Sequence, residues 1–310
     1  YCFDGKKTTK WSWFAEIKSV PDFKCISPKQ IEMMIASKNN GFGNGLYISI
    51  PRIKNPIELF VVFRAFGILT DKDICKYILL NLTNDKNKKL LSYLQASIID
   101  ANKYKTQEDA LKYITSYAAY TPINMDRKTG AKKKREFTMD VLNNDLFPHC
   151  KTNQQKLYLL GYMANKLLQT SLGWVGTDDR DSYINKRIEL TGTLLNNLFR
   201  NYFNKLVKEM QKQIIREINN GSWKSTDDYS NIINMTNIYK IMKSSTIENG
   251  INRALSTGDF SIKQSNSSKV GVAQVLNRLT YVSSLSHLRR INTPLEKSGE
   301  LIEPRKLHNT

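Results

Sequence analysis

Apolar positions along this chain recur at two periods, and the period changes from place to place. In "GLYISIPRI" (45–53) Leu46, Ile48 and Ile50 alternate with other residues, which predicts a strand. The next stretch, "NPIELFVVFRAFG", changes to helical spacing. Asn55 is the expected cap, Pro56 suits a first turn, and Glu58 stands where a capping-box acid belongs. Ile57, Phe60, Val61 and Ile68 trace the face, and Gly67 is the expected terminator. "TDKD" (70–73) predicts a second helix to about residue 82, and "TQED" (106–109) starts a third. "TPINMDRKTGAKKKREF" (121–137) reads as a polar, basic loop, and a helix follows over about 154–172. "GTDDRDSYINKRIELTG" (176–192) shifts in composition and reads as a domain junction. A long helix is predicted from about 192 to 219, where Leu194, Leu195, Leu198, Phe199, Phe203 and Leu206 recur at steps of three and four, continued by Met210, Ile214 and Ile218. Residues 219–228 read as a loop, and short helices and loops follow. No internal repeat is present. The predicted class is α+β, mostly helical, with a small β component in the first half.

"VLNRLTYVSSLSHLRRINTP" (275–294) carries more polar groups than a plain surface helix needs. Its spacing predicts two short helices, over 272–278 and 282–290. Gln274, Asn277 and Tyr281 would share one side, and Ser283, His287 and Arg290 another. Val275, Leu276, Leu279, Leu285 and Leu288 would face a core. Amide, hydroxyl, imidazole and guanidinium groups together suit a sugar-phosphate strand. They equally suit a polar helix face whose arginines bond neighbouring carboxylates.

Composition sharpens the choice of partner. Of 310 residues 40% are hydrophobic and 10% aromatic, so cores can form and disorder is excluded. Lys and Arg number 47 against 28 Asp and Glu, a net charge of +19. That surplus points to a polyanion: nucleic acid, an anionic membrane or an acidic protein surface. Lys132, Lys133, Lys134 and Arg135 read as a nuclear-localisation patch, a tip touching nucleic acid, or a solvated loop. Cys2, Cys25, Cys75 and Cys150 stand far apart, which fits neither a zinc ribbon nor a disulfide framework and suits a reducing compartment. No apolar run reaches membrane-spanning length, and no signal peptide is visible. The chain opens on Tyr1, which leads us to expect a piece of a larger polypeptide.

Candidate chemistry is sparse. Asp4 in "YCFDG" has no converging carboxylates for a two-metal site. Asp178, Asp179 and Asp181 interleave with Arg180 and precede Lys186 and Arg187, which suits ion pairs and a helix N-terminus better than a metal. "GFGNG" (41–45) lacks the Lys-Ser of a phosphate loop and precedes a strand, so a hairpin turn or flexible loop is expected. His149, His287 and His308 are well separated. Neither a catalytic constellation nor a metal site is predicted.

The last third carries a specific resemblance. "ALSTGDF", then "KVGVAQVLNRLTYVSSLSHLRRINTP", then "GELIEPRKLHNT" resembles the fork region of the second-largest, β-type subunit of multisubunit DNA-directed RNA polymerases. The family pattern there reads ATGNW, a basic loop, AGVSQVLNR, STLSHLRR-x-N-P, a loop and KPR-x-LHNT. "DDRDSYINKRIELTGTLL", "GYMANKLL" and "IPRIKNPIELFVVFRAFG" are similar to further motifs of that subunit. The resemblance spans about 12–310, weak at first and strong at the end.

It implies a lobe over 12–185, the second half of a protrusion over 186–258, and a fork over 259–310 with fork loops at about 261–269 and 295–302. It implies nucleic-acid contacts from Lys263, Lys269, Gln274, Arg278, His287, Arg289, Arg290, Lys297 and Arg305. The partners implied are the largest polymerase subunit, the rest of the second-largest subunit, the DNA template and the nascent RNA, with no membrane. The catalytic magnesium would sit on an aspartate triad of the largest subunit, so this chain would bind no cofactor and would not polymerise alone. The implied location is intracellular: the nucleus, or the cytoplasmic factory or virion of a virus. Asn-, Ile- and Lys-rich usage suggests an AT-rich genome, that of a large DNA virus or a divergent eukaryote. The competing readings are a stand-alone basic nucleic-acid-binding module and a scaffold facing acidic partners or membranes.

Overall fold

A computed structural model describes residues 2–4, 10–20, 28–121, 126–178, 182, 184, 185, 187–220, 233, 235, 237–261 and 269–292. The chain forms two compact units, Tyr1–Asn185 and Lys186–Thr310.

The first unit is a small antiparallel sheet covered by helices. Strands β1 (Cys2–Asp4), β2 (Trp11–Ser19), β3 (Lys29–Asn39), β4 (Asn44–Ser49) and β5 (Ile57–Glu58) lie in sequence order. Each pairs antiparallel with the next, with Ile35 opposite Leu46 and Ile48 opposite Ile57. Period-two positions Ile31, Met33 and Ile35 on β3 and Leu46 and Ile48 on β4 are almost fully buried, as one covered sheet face requires. The glycine-rich stretch forms the link between β3 and β4, as expected of a turn. Asn39 Oδ1 accepts from the N–H groups of Gly41 and Gly43, whose φ angles of 98° and 133° suit glycine.

The first predicted helix starts later than the cap signals imply. Ile57 and Glu58 extend the sheet, so α1 runs Leu59–Ala65 with Glu58 as its cap residue. Pairing of Ile57 with Ile48 wins over Asn55 capping because Ile57 is completely buried there. All seven residues of α1 are buried, Arg64 included. Gly67 then ends the turn at φ 97°.

Thr70 caps α2 (Asp71–Leu79) by accepting from the Asp73 N–H, with Asp71 and Asp73 favourable in the first turn. This helix stops short of residue 82, because Leu80 turns to φ 60°. A helix without a sequence expectation, α3 (Asp85–Ala101), follows an Asn84 cap. Thr106 caps α4 (Gln107–Ser116) as expected.

The basic stretch is not a loop. Residues Arg127–Asp140 form α5, continued by a π-helical turn at Val141–Asp145. Charge hides its periodicity: Gly130, Lys134, Phe137, Thr138 and Val141 pack inward at steps of three and four. Helix α6 (Asn153–Ser171) starts with a capping box between Thr152 and Gln155. Its buried Lys156 donates to the carbonyls of Leu142 and Asn143, tying down the π turn, and burial lowers the Lys156 pKa.

The second unit is built on α7 (Thr191–Asn220), with α8 (Ile238–Ile241), α9 (Ser245–Thr257) and α10 (Tyr281–Leu288). Leu198, Ala254 and Phe260 form its core, with Leu194, Tyr202 and Ile251 packed against it. The predicted apolar stripe of α7 is present, but among its described residues only Leu198 and Leu206 are buried. Phe199 and Phe203 stay about half exposed.

Candidate nucleic-acid interface

The segment from 258 to 292 begins at a close backbone crossing. Gly258 ends α9 at φ 69°, and its carbonyl accepts from the Val272 N–H at 3.0 Å. The Phe260 N–H donates to the Lys269 carbonyl at 2.9 Å, so the two ends of the first predicted fork loop are tied together. Buried Phe260 anchors this closure in the core of the second unit.

A Cβ at Gly258 would lie 2.4 Å from the Ala273 carbonyl oxygen, on backbone already in the left-handed region. Gly258→Ala is therefore expected to weaken the closure by about 2 kcal/mol, or roughly thirtyfold in local opening. Hydrogen exchange of the Val272 amide measures this directly; unchanged protection would refute the crossing.

The first of the two predicted short helices does not form. Residues 272–278 are irregular because their backbone groups have other partners. Asn277 Oδ1 accepts from the Leu279 N–H at 3.0 Å, and the Asn277 N–H donates to His287 Nδ1 at 3.0 Å. The second helix forms as α10. Its start is a capping box between Thr280 and Ser283, and the Ser284 hydroxyl donates to the Asn277 carbonyl. The predicted inward apolar face is also corrected. Val275, Leu279, Leu285 and Leu288 are exposed by 93%, 86%, 58% and 71%, and Leu276 is only partly covered. A single eight-residue helix on an irregular strand encloses no interior.

The polar groups do converge. His287 Nδ1 accepts, so Nε2 carries the proton and donates to Gln274 Oε1 at 2.9 Å. Gln274 Nε2 in turn donates to the Gly271 carbonyl at 3.0 Å, which Asn292 Nδ2 also reaches at 2.9 Å. Both His287 nitrogens are thus occupied, which makes it a brace. Gln274 is exposed and keeps one amide hydrogen for an outside acceptor. Arg290 follows at the end of α10, its N–H on the His287 carbonyl.

The cations differ in availability. Arg278, Arg289 and Arg290 are exposed, and among the described residues no carboxylate pairs with them. Lys269 is engaged with Glu189 at 2.6 Å. Lys263, Lys297, Arg305 and the second predicted fork loop lie outside the described residues. Sequence reasoning missed Gly258, Gly271, Ser284 and Asn292. Only the glycines carried a signal, as single breaks between helical stretches.

Asp178 pairs with Lys166 at 3.2 Å, while Asp179, Arg180, Asp181 and Lys186 lie outside the described residues. Among the described residues no group of His, Cys, Asp and Glu could hold a metal ion, and no helix is long and apolar enough to cross a membrane.

Comparison with known proteins gives a consistent result. The family described as RNA polymerase Rpb2, domain 2 matches residues 26–189, and that described as RNA polymerase Rpb2, domain 3 matches 274–310. DNA-directed RNA polymerase II subunit 2 of Arabidopsis thaliana is 32% identical over 320 residues, covering 100% of this chain and 25% of its own length. DNA-directed RNA polymerase II subunit RPB2 of Encephalitozoon cuniculi is 35% identical, again covering 100% and 25%. DNA-directed RNA polymerase subunit 2 of Acanthamoeba polyphaga mimivirus is 31% identical, covering 96% and 25%. The chain thus spans about a quarter of the length of these relatives.

Proposed function

The chain belongs to the family of second-largest subunits of DNA-directed RNA polymerase, and from that premise we propose that its 258–292 segment flanks the nascent RNA and its template in the assembled enzyme. In this reading residues 12–185 serve as the lobe, 186–258 as half of the protrusion and 259–310 as the fork. The largest subunit and the remainder of the second-largest subunit are the protein partners. Nucleotidyl transfer and its magnesium belong to the largest subunit. The location is intracellular, where that machine works.

One observation carries the reading: Asn277, His287, Gln274 and Gly271 are joined in series by hydrogen bonds on the surface, in a segment whose arginines have no carboxylate partner among the described residues. A bare polar helix face would leave Gln274 free to rotate. Here His287 and Gly271 fix its amide, so the remaining N–H has one direction. A fixed neutral donor beside guanidinium groups suits a ribose-phosphate strand, with Arg289 and Arg290 on phosphates and Gln274 on a sugar or base oxygen. Lys269, paired with Glu189, contributes only if that ion pair opens.

In an assembled polymerase carrying Arg290→Ala, release of short transcripts is expected to rise about tenfold, the scale of one charge-assisted hydrogen bond. Gln274→Ala should raise it less, since a neutral bond is lost. Unchanged release in both variants would remove this segment from the RNA path.

A further inference from the structure

We propose that Glu189 is an internal competitor for the transcript: its carboxylate holds the Lys269 ammonium in place of a phosphate and is displaced when the strand arrives. The inference rests on the RNA-path reading above and adds the residue that regulates one of its cations. Lys269 Nζ donates to Glu189 Oε2 at 2.6 Å, across 80 residues of chain. Glu189 stands in the irregular stretch just before α7. Arg278, Arg289 and Arg290 pair with no carboxylate among the described residues, so Lys269 differs from the other cations of its segment.

Closure of the segment does not depend on this ion pair. The Lys269 N–H donates to the Ser261 hydroxyl at 3.0 Å, and its carbonyl accepts from the Phe260 N–H at 2.9 Å. The Val272 N–H reaches the Gly258 carbonyl at 3.0 Å, and Phe260 is buried in the core of the second unit. These bonds anchor the backbone of Lys269 whatever its ammonium does. The pair therefore constrains a side chain whose place in the fold is already fixed. Among the described residues Glu189 pairs with no second cation.

The chemistry suits exchange. The Glu189 and Lys269 side chains are 37% and 25% exposed, so a phosphate oxygen can reach the ammonium from solvent. Carboxylate and phosphate both offer anionic oxygens, and lysine is a point charge on a flexible stem with three rotatable donors. Rotation of that stem transfers the ammonium from one acceptor to the other while the backbone stays anchored. A partly exposed pair is weak, so Lys269 is free for a fifth to a half of the time, and its apparent grip on phosphate falls by that fraction.

In an assembled polymerase carrying Glu189→Gln, release of short transcripts is expected to slow by about two- to fivefold. Hydrogen exchange of the Phe260 amide should be unchanged, because its bond to Lys269 is between backbone groups. In a Lys269→Gln background the same substitution should have no effect on release. Glu248→Gln, at an exposed carboxylate on α9, removes equal charge from the same unit and should release like the parent. Slowing that persists without Lys269, or that Glu248→Gln reproduces, would reduce the effect to net charge and overturn the proposal. Faster release with lost Phe260 protection would make the pair a structural clasp and overturn it as well. So would unchanged release. The RNA-path reading fails separately: it requires a rise with Arg290→Ala whether or not Glu189 competes. A rise there beside unchanged release in Glu189→Gln removes the competitor alone.

Discussion

Arg64→Leu is expected to cost the first unit about 3–5 kcal/mol, the range for breaking a buried charged group's bonds on one side. Arg64 is 2% exposed at the end of α1. Its guanidinium donates to the carbonyls of Ala101 and Tyr104 at 2.5 and 2.8 Å and to Asp71 at 2.6 Å. One side chain therefore joins the end of α1, the end of α3 and the start of α2. Leucine fits the apolar surroundings but takes the guanidinium donor from both carbonyls, leaving Ala101 O with only the Tyr104 N–H. Asp71 is partly exposed, and water can replace its lost bond, so the carbonyls dominate the loss. Arg64→Lys should cost less, because an ammonium still offers three donors, although it cannot reach all three acceptors as a planar fork does. Urea unfolding measures both variants. A leucine variant within about 1 kcal/mol of the parent would mean that Arg64 does not hold these three elements together.

Gly161→Ala is expected to destabilise the same unit by about 3 kcal/mol, despite the gain of up to about 1 kcal/mol in helix propensity. A Cβ at Gly161 would lie 2.1 Å from the Tyr77 carbonyl oxygen and 2.7 Å from its carbon. Both are backbone atoms of α2, so no side chain can turn aside. Asn165, one turn further along α6, donates to the Ile78 carbonyl at 2.8 Å and fixes the same approach. The helices would have to separate, opening the core around Ile78 and Leu160. A stabilised alanine variant in urea or thermal unfolding would show that α2 and α6 do not cross at this glycine.

These two positions illustrate what a sequence conceals. "GYMANKLL" was legible as a helix and as a family motif, yet the reason for its glycine was not. Only the approach of α2, more than eighty residues earlier in the chain, explains it. Arg64 looked like one polar residue in an apolar run. Its role depends on carbonyls contributed by residues 101 and 104. Where the signal was local, expectation and structure agree: Thr70 and Thr106 cap their helices, the glycine turn joins β3 to β4, and the long apolar repeat becomes α7. Where a distant partner intervened, they diverge. Ile57 joins the sheet because Ile48 is beside it, and α5 forms as a helix that packs on α4 with Gly130 and Thr138 buried.

The candidate interface divides along the same line. The amide, imidazole and guanidinium groups were visible as residue types, and the resemblance supplied the family before any coordinate. The geometry was not visible. Sequence spacing assigned Gln274 and His287 to different sides of two helices, whereas the chain brings them to 2.9 Å.

What the sequence determined by itself is whatever depends on neighbours within one or two turns: caps, turns, periodicity, net charge and family membership. What only the tertiary structure decided is which polar groups are already occupied and which remain open. Among the described residues, Lys134 and Arg135 are engaged with α4 while Lys132 and Lys133 have no such partner, and Lys269 is paired while Arg290 is not. The physical reason is that hydrogen bonds and ion pairs act over a few ångströms in space, and separation along the chain does not limit them.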